Sequence, residues 1–130
     1  MIKIYVTKQS NYPVSALKLK EKLKNFLLQK GIKSDALVEI SLVGEAQMNE
    51  LAREHNLDGG EIHNVFSFPA SELRGEFVYP PDGIIRLGEI VICYPKVFEV
   101  AKSEGIKIDD KVYELVEHGA KHLLGEHHDI

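Results

Sequence analysis

Cysteine is nearly absent from this sequence. Cys93 is the only one, so no disulfide can form within the chain, and a reducing compartment is the expectation. No apolar run approaches the roughly 20 residues that a bilayer-spanning helix needs. The opening residues, Met1-Ile-Lys-Ile-Tyr-Val6, lack the charged, apolar and small-residue regions of a signal peptide. Repeats and low-complexity tracts are missing too. So is an excess of positive charge: the formal net charge of −4 argues against broad electrostatic binding of nucleic acid, although it leaves room for a local basic groove. Together these absences make a cytoplasmic enzyme the default expectation.

At 130 residues the chain is read as one domain, 1–130, long enough for a real core and too short for two ordinary ones. Hydrophobic residues at 44% and charged residues at 28% fit a globular domain rather than a disordered one. Lys18, Lys20, Lys22, Lys24, Lys30 and Lys33 form a basic cluster, read as a solvated helix face in preference to a nucleic-acid patch.

Periodicity supplies the elements. Ile2, Ile4 and Val6 alternate with polar neighbours as in a half-buried strand. Pro13 suits the first turn of a helix whose apolar face is Ala16, Leu19, Leu23, Phe26 and Leu27, ended by Gly31. Residues 36–43 read as a second strand, and Gly44 leads into a short helix with Met48, Leu51 and Ala52 on its apolar side. Residues 56–61 form a loop, Val65–Phe68 a third strand, and 70–83 an irregular connection. The fourth strand, 84–93, is apolar on both sides, which predicts a central position under helices. Pro95 begins another helix, and Asp109 is the expected N-cap of a last one whose face is Val112, Leu115, Val116, Gly119 and Leu123. The order β-α-β-α-β-β-α-α describes a compact α/β or α+β domain, a four-stranded sheet packed with helices and ending in the helix that carries the histidines described next.

The chemistry concentrates at the end. His118 and His122, at i and i+4, share one helical face and can reach a single metal ion. Gly125 stands where a glycine lets a helix end, and His128 can fold back as a third ligand. The spacing H-x3-H-x2-G-x2-H matches the metzincin zinc signature except that Gly119 replaces the catalytic glutamate. A purification tag would be an uninterrupted histidine run, unlike these three. Three imidazoles leave a tetrahedral zinc one open position for water, the pattern of a catalytic site. Glu126 is a possible substitute base, and His127 a fourth imidazole or an exposed tail residue.

Three segments in order resemble the YbeY family of bacterial zinc-dependent endoribonucleases, also called rRNA maturation factors. Asn64-Val-Phe-Ser-Phe-Pro69 is similar to that family's (D/N)VLSFP strand, and Leu87-Gly-Glu-Ile-Val-Ile92 to its LGDIVI strand. His118-Gly-x-x-His122-Leu-Leu-Gly125-x-x-His128 is similar to its HGxLHLxGYDH signature. The sequence departs from the pattern at His63, Phe66, Cys93, Lys121, Glu126 and His127, and residues 49–64 span more than the usual spacing.

The resemblance implies an α+β fold, a mixed four-stranded sheet packed with helices, and that His118, His122 and His128 hold one Zn2+, with metal identity not fixed by imidazoles alone. It implies hydrolysis of single-stranded RNA, roles in rRNA 3′-end maturation and ribosome quality control, and the ribosome or small ribosomal subunit as partner. Arg53 is the only arginine in the window where the family carries an active-site arginine, and is the catalytic candidate, with Arg74 and Arg86 behind it. Ser67 is read as a strand hydroxyl satisfied by backbone, with a substrate or water contact as the alternative. Two other classes stay open: a different metallohydrolase, such as a peptidase, and an assembly factor whose metal is structural. A nuclease further requires residues 56–63 and 70–83 to flank the metal as walls of a groove.

Overall fold

The computed structural model describes residues 1–55, 64–70 and 83–125. The loop 56–63, all of the 70–83 connection except its ends, Arg74, and the tail with Glu126, His127 and His128 lie outside the described residues. Four strands, β1 (Ile2–Lys8), β2 (Ala36–Val43), β3 (Val65–Pro69) and β4 (Ile85–Cys93), form one sheet in the order β1-β2-β4-β3. β1 and β2 are parallel, as are β2 and β4, while β3 runs antiparallel to β4 at an edge. Among the described residues four helices pack around the sheet: α1 (Ala16–Gln29), α2 (Glu45–Glu54), α3 (Tyr94–Glu104) and α4 (Ile108–Leu123). This is the mixed, four-stranded α+β arrangement that the family resemblance implied, with β4 central as its apolar pattern predicted. No helix among the described residues is long and apolar enough to cross a membrane.

Strand alternation divides the core in two. On one face Ile4, Val38, Ile40, Ile90 and Ile92 meet α1, α3 and α4 through Leu23, Val97, Val112 and Val116, all but Ile4 essentially inaccessible to solvent. On the other face α2 places Met48 and Ala52 over Phe66, Phe68, Val91 and Cys93. Burial raises the pKa of the Cys93 thiol, which suits a packing residue rather than a nucleophile.

Two helix starts differ from expectation. α1 begins at Ala16, beyond Pro13: Ser15 is the N-cap, and its hydroxyl accepts from the Lys18 amide at 3.3 Å. Val14 and Leu19, one on each side of that cap, are buried in the same cluster and staple the entry of the chain. α4 starts at Ile108 with Lys107 as its N-cap, so Asp109 falls in the first turn and caps nothing. There, with Asp110, it faces the positive end of the helix dipole. The lysines of the basic cluster are exposed except for half-buried Lys20. Lys22 and Lys30 lie over the rings of Tyr113 and Phe26.

Candidate active site

α4 carries His118 and His122 across the sheet toward β3. The helix approaches closely because Gly119 faces the strand: a Cβ there would lie 3.0 Å from Ile90 Cγ2 and 3.2 Å from Ile90 Cγ1. Position 119 therefore points into the core. A glutamate at this position would collide with Ile90 before it reached solvent.

One turn further on, Gly88 does the same for β4. Leu87 is an extra residue on that strand, since Leu37 pairs with Arg86 and Val38 with Gly88. Gly88 adopts φ 140°, and a Cβ there would lie 2.3 Å from the Phe68 carbonyl oxygen and 2.8 Å from Leu123 Cδ2. Only glycine fits.

This close seating brings the histidines against β3. Ser67 pairs with Ile90 in the sheet, so it projects on the α4 side, while its neighbours Phe66 and Phe68 turn toward α2. Its hydroxyl meets His122 Nδ1 at 2.5 Å. The expectation that Ser67 is satisfied by neighbouring backbone is thus corrected: its partner is a candidate metal ligand. Alternation gives the face on which Ser67 lies, but only tertiary packing shows that His122 is opposite it.

His118 is exposed and lines a cleft of about 420 Å³ with Asn64, Val65, Glu114, Glu117 and Lys121. The acids there are partly neutralised, with Lys121 3.8 Å from Glu117 and Lys111 3.4 Å from Glu114. α4 ends as its sequence predicts, with Gly125 at φ 80° donating to the His122 carbonyl at 3.0 Å.

Arg53 is exposed near the end of α2, the helix on the opposite face of the sheet. The ring of His55, two residues on, lies tilted against Phe68 with centroids 4.5 Å apart, so this end of α2 reaches the strand that carries Ser67. Arg86 is exposed on β4. Among the described residues no group of three or more His, Cys, Asp or Glu side chains is placed to hold a metal ion. His118 and His122 supply two imidazoles, and the third of the predicted set, His128, lies beyond the described residues.

Comparison with known proteins decides the family. The model of the Endoribonuclease YbeY family matches residues 5–130. This chain belongs to the YbeY family. It is 36% identical over 92 residues to the Endoribonuclease YbeY of Renibacterium salmoninarum, covering 71% of this chain and 58% of that protein. It is 30% identical over 118 residues to that of Bartonella quintana, covering 91% and 70%. With 58% and 61% of their lengths covered, the chain spans under two thirds of the Renibacterium and Leifsonia xyli proteins. The solution structure of TM1509 from Thermotoga maritima superposes with a TM-score of 0.59 at 28% identity, over 98% of this chain and 75% of that one. Family and fold agree.

Proposed function

We propose that this chain is a metal-dependent endoribonuclease that cuts single-stranded RNA, with His118, His122 and His128 as ligands of one zinc ion. The observation that carries this reading is the YbeY family match together with His118 and His122 on the face of α4 that meets β3. The donor chemistry fits: imidazoles one turn apart suit a divalent ion of intermediate softness. When bound, such an ion would acidify water and polarise a phosphoryl oxygen.

The chain's own residues supply the rest. Ser67 steadies the His122 ring from β3. Lys121 offers positive charge in the cleft beside His118. Arg53, at the end of α2 that reaches β3, is the proposed partner of the phosphate's non-bridging oxygens, where charge develops during phosphodiester cleavage. A peptidase reading would have to find its base elsewhere, because the position of the missing glutamate faces Ile90 and cannot present one to water. By family, the proposed role is rRNA 3′-end maturation and ribosome quality control, acting at the small ribosomal subunit.

The test is His122→Ala. Cleavage of a labelled single-stranded RNA should fall at least about 100-fold, as for loss of a group on which metal activation of water depends. Zinc measured by elemental analysis should be lost in parallel, and chelator should reproduce the effect in the parent protein. Undiminished cleavage by metal-free His122→Ala protein would overturn the zinc-nuclease reading.

A further inference from the structure

We propose that Ser67 is a positioning residue that sets the tautomer of His122: its hydroxyl accepts the Nδ1 proton, so that the ring presents the Nε2 lone pair to a cation. The inference rests on the metal-site reading above and adds a residue to it from a different element.

Three features carry it. The Ser67 hydroxyl meets Nδ1 of His122, 55 residues away in sequence, at 2.5 Å. Ser67 is held on the α4 side of β3 by its register with Ile90, so its Cβ faces the helix and Oγ reaches the imidazole by choice of χ1 alone. His122 is held in turn by the two glycines that let α4 lie close: Gly119 over Ile90, and Gly88 beneath Leu123. Backbone therefore brings the two Cβ atoms face to face, and the hydroxyl–imidazole contact sets the remaining side-chain torsions.

The chemistry gives the contact a direction. A neutral imidazole has one N–H and one lone pair, and the group bonded to one nitrogen decides the role of the other. A serine hydroxyl can accept or donate. If Nδ1–H donates to Oγ, Nε2 keeps its lone pair and can bind a metal ion. If the hydroxyl instead donates to Nδ1, the proton moves to Nε2 and blocks coordination. Partners of this kind orient ligand histidines, and their loss typically weakens metal binding about 10- to 100-fold. A ligand on a helix gains most from such help, because an i,i+4 pair fixes the Cβ positions and leaves the ring rotation open.

The experiment compares Ser67→Thr with Ser67→Val, two side chains of equal shape of which only the first has a hydroxyl. Both are β-branched and suit a strand, so both should fold. Ser67→Ala serves as the smaller deletion. The first readout is the His122 ring in metal-free protein, by long-range nitrogen–proton correlation spectra at a pH where the ring is neutral. The Nδ1–H tautomer should dominate in the parent and in Ser67→Thr, and the two tautomers should mix in Ser67→Val and Ser67→Ala. The second readout is the dissociation constant for zinc alone, by competition with a chromogenic chelator. It should rise about 10- to 100-fold without the hydroxyl and stay within a few-fold in Ser67→Thr.

A parent ring in the Nε2–H tautomer, or the same tautomer in all four proteins, overturns the proposal whatever happens to zinc or RNA. Failure of the nuclease reading looks different: the tautomer and zinc constants respond to Ser67 as expected, yet the parent protein does not cut RNA.

Discussion

The two halves of the sheet are built by opposite means. In the β1–β2 half, parallel strands present Ile4, Val38 and Ile40 to Leu19, Leu23 and Leu27 of α1, and stability comes from filling space with branched aliphatic side chains. In the β3–β4 half, space is emptied: Gly88 and Gly119 remove the side chains that would hold α4 away, and β4 takes an extra residue at Leu87. Into that close contact the chain puts a serine hydroxyl and an imidazole. The first half is a scaffold that tolerates loss of volume at a cost in stability. The second is a fitted joint in which added volume moves the chemistry.

The sharpest way to break this contrast is Gly88→Ala. A left-handed φ of 140° and a Cβ 2.3 Å from the Phe68 carbonyl oxygen both oppose the substitution. Backbone strain and overpacking of this kind cost about 2–6 kcal/mol together. Denaturant titration should show that loss. Zinc retention should fall as well in the molecules that still fold, because Leu123, the residue pushed by the new methyl, adjoins His122. Unimpaired zinc binding with only a stability loss would mean that the joint does not set the site.

Leu23→Ala probes the other half. Leu23 is fully buried on α1, and its truncation should cost about 2–5 kcal/mol through lost burial and a cavity. Here the zinc constant of the folded fraction should be unchanged. A parallel fall in zinc affinity would show that the two halves are mechanically one.

The contrast also explains what was legible in the sequence. The four strands and four helices among the described residues follow from apolar periodicity, because the elements bury one face each, and the alternation of β3 assigns Ser67 and Phe66 to opposite sides. Helix starts were less legible. Pro13 suits a first turn, but Ser15 with its Val14–Leu19 staple decided where α1 begins; α4 begins at Ile108 without a side-chain cap, and nothing at Lys107 announces it. His118 and His122 could be paired from spacing alone, since an α-helix fixes that geometry locally. The Ser67–His122 contact could not, because it depends on how near α4 comes to the sheet. The glycines were visible in the sequence, and Gly119 could be placed both on the apolar face of its helix and where a metalloprotease carries glutamate. That it also thins the helix face over Ile90 is a three-dimensional fact.

Gly119→Ala tests that last point and should have the smallest effect. Alanine is favoured over glycine inside a helix by about 1 kcal/mol, which by itself would stabilise α4. Against this, the new methyl would lie 3.0–3.4 Å from three carbons of Ile90. Ile90 is fully buried between strands β2 and β3 and has little room to yield, and overpacking a tight site costs about 1–3 kcal/mol. The net expectation is a loss of about 0–2 kcal/mol, the difference of those two ranges. Its sign alone does not prove the mechanism, but a double-mutant cycle does. In an Ile90→Ala background, already destabilised by its cavity, the steric opposition is gone. Adding Gly119→Ala there should stabilise the protein by about 1 kcal/mol, the helix propensity acting unopposed. Equal effects of Gly119→Ala in both backgrounds, measured by denaturant unfolding, would show that Ile90 does not limit how closely α4 lies. Glutamate at the same position should cost far more than alanine and confer no peptidase activity, since its carboxylate would be driven into the aliphatic contact instead of toward the cleft beside His118.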